Sequence, residues 1–134
     1  MRISTAWIAG LAAAWSLSAA AQHGVATGDW PNYGGDKGST KYSALDQITR
    51  ENVNQLQVAW EWDSIDNAVT AANPQVVATM HEATPLVVDG VMYTLTSFSQ
   101  AAAINPATGK TIWSFDPESY KAGRPTNLGF IQRG

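Results

Sequence analysis

The sequence predicts an all-β fold, and three observations carry the prediction. Eleven Gly, six Pro and six Trp in 134 residues favour short strands and turns over helices. In "TPLVVDGVMYTLT" the pair Asp89-Gly90 separates two β-branched runs, a hairpin signal because a type I′ turn needs positive φ at both central positions. In "AINPATGKTIWSF" a second turn, Pro106 to Gly109, separates two more short apolar runs. Strands are expected at Leu86–Val88, Val91–Thr96, Ala101–Asn105 and Thr111–Phe115, joined in order as an antiparallel meander. On the second of them Val91, Tyr93 and Leu95 share one face and Met92, Thr94 and Thr96 the other. Such a sheet has two unpaired edges and two faces to cover, which radial repetition in a propeller or an open sandwich both achieve.

The segments before the meander are read in order. "MRISTAWIAGLAAAWSLSAAAQ" has Arg2 as a short positive start, an apolar stretch from Ala6 to Leu17, and Ala19 and Ala21 placed for cleavage ahead of Gln22. The stretch is shorter than the roughly 20 residues of a spanning helix, and no Cys stands at the cleavage point for lipid attachment. Residues 1–21 are therefore expected to be a signal peptide and the mature chain to be secreted or periplasmic. "GDWPNYGGDKGSTKY", from Gly28 to Tyr42, reads as an irregular lead-in with turns. Ile48 to Val53 can form one helical turn with Thr49 as its N-cap. Gln57 to Trp62 alternates polar and apolar residues, which predicts a strand. Asp63 to Thr79, with Asn73-Pro74 and no period, is expected to be a long surface loop.

Composition excludes several functions. A net charge of −3, one unit more negative without Arg2, offers no basic patch for nucleic acid. The absence of cysteine rules out a disulfide framework and a thiolate metal site in these residues. No segment encodes membrane association, though such association is compatible with the chain.

The second turn is more specific than a common turn followed by a core Trp. Ala103, Asn105, Thr108, Gly109 and Trp113 fit A-x-D/N-x-x-T-G-x-x-x-W. Ala103 leaves room where units approach, Asn105 can hydrogen-bond the turn, and Gly109 supplies positive φ. Trp113 offers a flat face on which a neighbouring unit can stack. On the last strand of a four-stranded meander this pattern resembles the tryptophan-docking repeat of the eight-bladed quinoprotein alcohol and sugar dehydrogenases, periplasmic enzymes that use pyrroloquinoline quinone (PQQ). The resemblance covers nearly all of the mature chain. "GDWPNYGGDKGSTKYSALDQITRENVNQLQVAWEW" looks like that family's N-terminal segment, and "HEATPLVVDGVMYTLTSFSQAAAINPATGKTIW" like its first complete blade. Residues 22–134 are then expected to be the N-terminal part of a β-propeller, a lead-in and about one blade, and to be inactive alone.

The resemblance also implies site residues. Glu82, in E-x-x-P-L-V-V-D-G, matches the family's cofactor-facing acid; without the resemblance it reads as a solvated Glu at a strand entry. His81 beside it is turned away by alternation and is expected to be structural or exposed. Arg133, in "IQRG", matches an Arg that approaches the carboxylates and quinone oxygens of PQQ, chemistry suited to a planar guanidinium. No catalytic residue and no metal ligand is expected in these 134 residues. The family's calcium ligands and Asp base match positions past Gly134.

One departure bears on substrate. The family's alcohol-oxidising branch has two adjacent cysteines where this sequence has Asn127 and Leu128. That favours branches without the disulfide, among them glucose, sugar and polyol dehydrogenases. The resemblance thus implies oxidation of a sugar, polyol or alcohol, with electrons passed to a quinone or cytochrome. Two alternatives belong to other classes: a propeller scaffold of the outer-membrane assembly type, which predicts a lipobox Cys, and a secreted carbohydrate-binding β-module using Trp30, Tyr33 and Trp62.

Overall fold

Asp89 and Gly90 take φ of 51° and 71°, so the hairpin turn forms as the type I′ argument requires. It joins β2 (Leu86–Val88) to β3 (Val91–Leu95), with Leu86 opposite Tyr93 and Val88 opposite Val91. These positions come from a computed structural model, which describes residues 28–125 and 128–133. The expected leader, 1–21, and Asn127 lie outside the described residues. Two further strands of the chain, β4 (Ala101–Ile104) and β5 (Thr111–Phe115), complete a four-stranded antiparallel sheet in the order β2-β3-β4-β5. All four expected strands are present, two of them one residue shorter than expected.

The turn between β4 and β5 has the hydrogen bonds its sequence implies. The Asn105 side chain accepts the Ala107 N–H at 2.9 Å, the Asn105 carbonyl accepts the Gly109 N–H at 2.8 Å, and Gly109 has φ of 69°. Tyr93, Ala103 and Trp113 lie opposite one another on β3, β4 and β5. The Tyr93 and Trp113 rings stand 6.2 Å apart and tilted, and Ala103 between them is fully buried.

The lead-in extends this sheet at its β2 edge. Trp30 exchanges both backbone hydrogen bonds with Val87, at 2.7 and 3.0 Å, and the Asp29 carboxylate accepts the N–H groups of Asp89 and Gly90, each at 3.4 Å. Downstream, the Thr40 backbone N–H and hydroxyl bond the Asp36 carboxylate, and hold it below its ordinary pKa. Thr49 caps its turn as expected: its hydroxyl accepts the Glu51 N–H at 3.3 Å, and Asn52 Oδ1 accepts the Thr49 N–H at 2.7 Å. This resembles a capping box with Asn in the third position, except that the Thr49 hydroxyl engages the second N–H rather than the third. A short 3-10 helix, Val53–Gln55, follows.

Two expectations need correction. Gln57 to Trp62 is not paired as a strand among the described residues. Indole N–H groups fasten it instead: Trp60 Nε1 donates to the Pro106 carbonyl at 2.8 Å and Trp62 Nε1 to Thr111 Oγ1 at 2.9 Å. Asp63 to Thr79 is not one loop, because it contains helix α1 (Asp66–Ala72) and the start of β1 (Ala78–His81). The helix spans too few residues to show a period. It is held by tertiary contacts: Val69 joins Phe98 and Phe130 in the hydrophobic core. A sixth strand, β6 (Phe130–Gln132), runs parallel to β1 in a separate two-stranded sheet.

The second turn carries a docked indole that the sequence had not pointed to. Trp60 lies against the Gly109 turn; a Cβ built on Gly109 would stand 2.6 Å from Trp60 Cε3. Trp113 remains about half exposed. The indole that docks on this turn therefore comes from the segment before the meander.

Candidate functional site

The parallel register of β1 and β6 explains how residues far apart in sequence meet. Ala78 is opposite Phe130, Met80 opposite Ile131 and His81 opposite Gln132. The ladder continues one step, with the Glu82 N–H donating to the Gln132 carbonyl at 2.9 Å. In parallel strands the next residues along each chain are neighbours. Those residues are Glu82 and Arg133, and Arg133 Nε lies 2.9 Å from Glu82 Oε2. Both expected site residues thus come together at one sheet end.

Gly129 makes the approach of β6 possible. It has φ of 74°, and a Cβ there would stand 2.5 Å from Thr79 Oγ1 on β1. A side chain here is strained by the positive φ and requires the Thr79 hydroxyl on β1 to give way.

His81 is placed as alternation implied. Its Nε2 lies 2.7 Å from the Leu95 carbonyl; a carbonyl only accepts, so this nitrogen carries the proton. The ring joins β1 to β3 and does not contact the Glu82–Arg133 pair.

The side chains of Arg133 and Glu82 are 67% and 44% exposed. An ion pair so open to water adds little to stability, so the pair has no strong structural reason to exist. Its chemistry is more informative. Glu82 engages Nε of the guanidinium, and Arg133 has no other ion-pair partner among the described residues. The two Nη groups form a planar fork suited to a carboxylate or a pair of adjacent oxygens. Glu82 beside it can accept a hydrogen bond from a protonated group. This donor set fits an aromatic tricarboxylate bearing quinone oxygens. Among the described residues no group of three or more His, Asp or Glu can hold a metal ion, and no helix is long and apolar enough to cross a membrane.

An open groove of about 360 Å³ begins one residue past Glu82, with Ala83, Thr84, Tyr33, Leu86, Tyr93 and Trp113 among its lining residues. It has apolar and hydroxyl walls and no charged group, so the ionic chemistry belongs to Glu82 and Arg133. Sequence reasoning missed the buried carboxylate of Asp66, which accepts the Phe98 N–H at 3.3 Å and Gln100 Nε2 at 3.1 Å. Only its place at the start of the unpredicted helix could have drawn notice.

Comparison with known proteins places the chain among relatives of one chemistry. The family described as "Glucose/ethanol/alcohol dehydrogenase, beta-propeller domain" (PQQ) matches residues 30–134. The dehydrogenase subunit of an alcohol dehydrogenase (quinone) from Gluconobacter oxydans is 43% identical over 91 residues, covering 68% of this chain and 11% of that protein. Quinoprotein glucose dehydrogenase A from Acinetobacter calcoaceticus is 39% identical over 101 residues, covering 75% of this chain and 12% of that one. The crystal structure of the quinohemoprotein alcohol dehydrogenase from Comamonas testosteroni superposes with a TM-score of 0.56 at 40% identity, over 71% of this chain and 12% of that one. The chain thus spans about one-eighth of the length of these relatives.

Proposed function

We propose, from the premise that this chain belongs to the PQQ-dependent glucose/ethanol/alcohol dehydrogenase β-propeller family, that it supplies two cofactor contacts to a quinoprotein dehydrogenase oxidising a sugar, polyol or alcohol. The observation that supports this reading best is the Glu82–Arg133 pair at 2.9 Å, held side by side by the β1–β6 register. Arg133 would hold a carboxylate or quinone oxygen of PQQ through its guanidinium fork, and Glu82 would fix the plane of that fork. When bound, PQQ supplies the two-electron acceptor that the amino acids lack. Alcohol-to-carbonyl oxidation releases two electrons and two protons, so a second acceptor, a quinone or cytochrome, completes the turnover. Calcium ligands and a catalytic base belong, on this reading, to positions past Gly134.

Within that range, the absence of cysteine at Asn127 and Leu128 makes a simple primary alcohol the less favoured substrate. The test uses the full-length protein, freed of cofactor and then given PQQ and calcium. Reduction of an artificial dye should require PQQ and should be faster with sugars or polyols than with ethanol. Dye reduction that is absent with every substrate despite bound PQQ sinks the enzymatic reading, and ethanol as the fastest substrate sinks that preference.

The proposal includes a location. Arg2, the apolar run and Ala19-x-Ala21 support export with cleavage before Gln22. In a Gram-negative host, mass spectrometry of periplasmic material should find a chain starting within a residue or two of Gln22. An intact Met1 start there would overturn the assignment.

A further inference from the structure

The turn between β3 and β4, Thr96 to Gln100, is unlike an ordinary hairpin end. Such turns usually sit in solvent, yet Phe98 is fully buried here and Thr96, Ser97 and Gln100 are nearly so. Asp66, only 5% exposed, accepts the Phe98 N–H through Oδ2 and Gln100 Nε2 through Oδ1, at 3.3 and 3.1 Å. Its own N–H donates to Ser64 Oγ at 3.2 Å. A buried carboxylate is unfavourable unless its oxygens are hydrogen-bonded; both oxygens of Asp66 engage this one turn.

The turn touches both strands that carry the candidate site. Towards β1, Ser97 Oγ donates to the Met80 carbonyl at 2.9 Å, and the His81 ring bonds the Leu95 carbonyl at 2.7 Å. Towards β6, the Phe98 ring meets Phe130 edge-on with centroids 5.0 Å apart. Met80 and His81 immediately precede Glu82, and Phe130 begins the strand that ends beside Arg133.

We infer that Asp66 is a positioning residue for the Glu82–Arg133 pair, acting through the buried Thr96–Gln100 turn. The inference rests on the reading of that pair as a cofactor contact. Asp66 sets the turn by two hydrogen bonds, the turn sets β1 by Ser97 and β6 by Phe98, and the spacing of the two strands sets the guanidinium. A supporting shell of this kind matters because cofactor contacts tolerate displacements of only a fraction of an ångström.

The experiment is a double-mutant cycle in the full-length protein, read as PQQ affinity of the apo-form and as the absorption spectrum of bound PQQ. Asp66→Asn turns an amide NH2 towards one of the two donors it now accepts from. It is expected to weaken PQQ binding about tenfold and to shift the bound spectrum. In an Arg133→Ala background the same substitution should change affinity little, since Asp66 acts through the pair. A merely structural role predicts equal effects in both backgrounds, and that result, or no effect in either, overturns the inference. If Asp66→Asn does not fold, Gln100→Met, which removes one donor only, enters the same cycle with the same outcomes. Arg133→Ala binding PQQ like the parent is a separate result, which overturns the underlying site reading.

Discussion

Arg133→Ala in the full-length protein is expected to bind PQQ roughly 30- to several-thousand-fold more weakly, the equivalent of about 2–5 kcal/mol. The substitution leaves an anionic oxygen of the bound cofactor without its partner, and leaves Glu82 beside it as an uncompensated negative charge. That second effect follows from the 2.9 Å pair and sets the order of the related variants. Arg133→Lys restores charge without the fork and should recover part of the affinity. Glu82→Gln keeps a neutral oxygen that can still accept from Arg133 Nε, so its loss should be smaller, about 1–2 kcal/mol. Titration of apo-protein with PQQ in excess calcium measures all of these. Parental affinity in Arg133→Ala identifies Arg133 as an ordinary surface residue.

Gly109→Ala is expected to be the most destabilising single methyl in the described sheet, at about 3 kcal/mol or more. Backbone strain at φ of 69° accounts for part, on the order of 1–2 kcal/mol. The rest comes from Trp60: a Cβ 2.6 Å from its ring expels the indole and breaks its 2.8 Å bond to the Pro106 carbonyl. Gly90→Ala is the matching comparison, because Gly90 has φ of 71° but no atom within 4 Å of an added Cβ. Thermal unfolding should show a clearly larger loss for Gly109→Ala, together with increased quenching of Trp fluorescence by acrylamide. Equal losses in the two variants would mean that Trp60 docking contributes nothing.

Features legible in the sequence were those encoded within a few residues. Asp89-Gly90 specifies its turn by φ alone, and Asn105 to Gly109 carries its own hydrogen bonds, so the strands flanking both turns could be placed. Glu82 and Arg133 were legible only because their surrounding motifs resemble those of a known family; each alone is an unremarkable polar residue. What was illegible depends on distant partners. A parallel pair such as β1–β6 has no connecting turn to announce it. Helix α1 is too short for a period and exists because Val69 packs on Phe98 and Phe130. The alternation in Gln57–Trp62 was real, but its two indoles meet a hairpin and not a neighbouring strand's ladder. The docking of Trp60 on the Gly109 turn was not legible either, because that ring comes from an earlier segment.

The parallel pairing of β1 and β6 also governs when the site comes into being. These strands enclose the whole β2–β5 meander in one loop, and closing such a loop carries an entropic penalty that local hairpins avoid. The meander can form early from its own turns, whereas Glu82 and Arg133 become neighbours only at closure. A molecule that binds across them therefore recognises the closed chain and not its precursor, and shifts the closing equilibrium by mass action. In kinetic terms the cofactor would act late, as a latch on the last non-local contact of this region. Its removal would weaken the β1–β6 seam while leaving the four-stranded sheet unaffected.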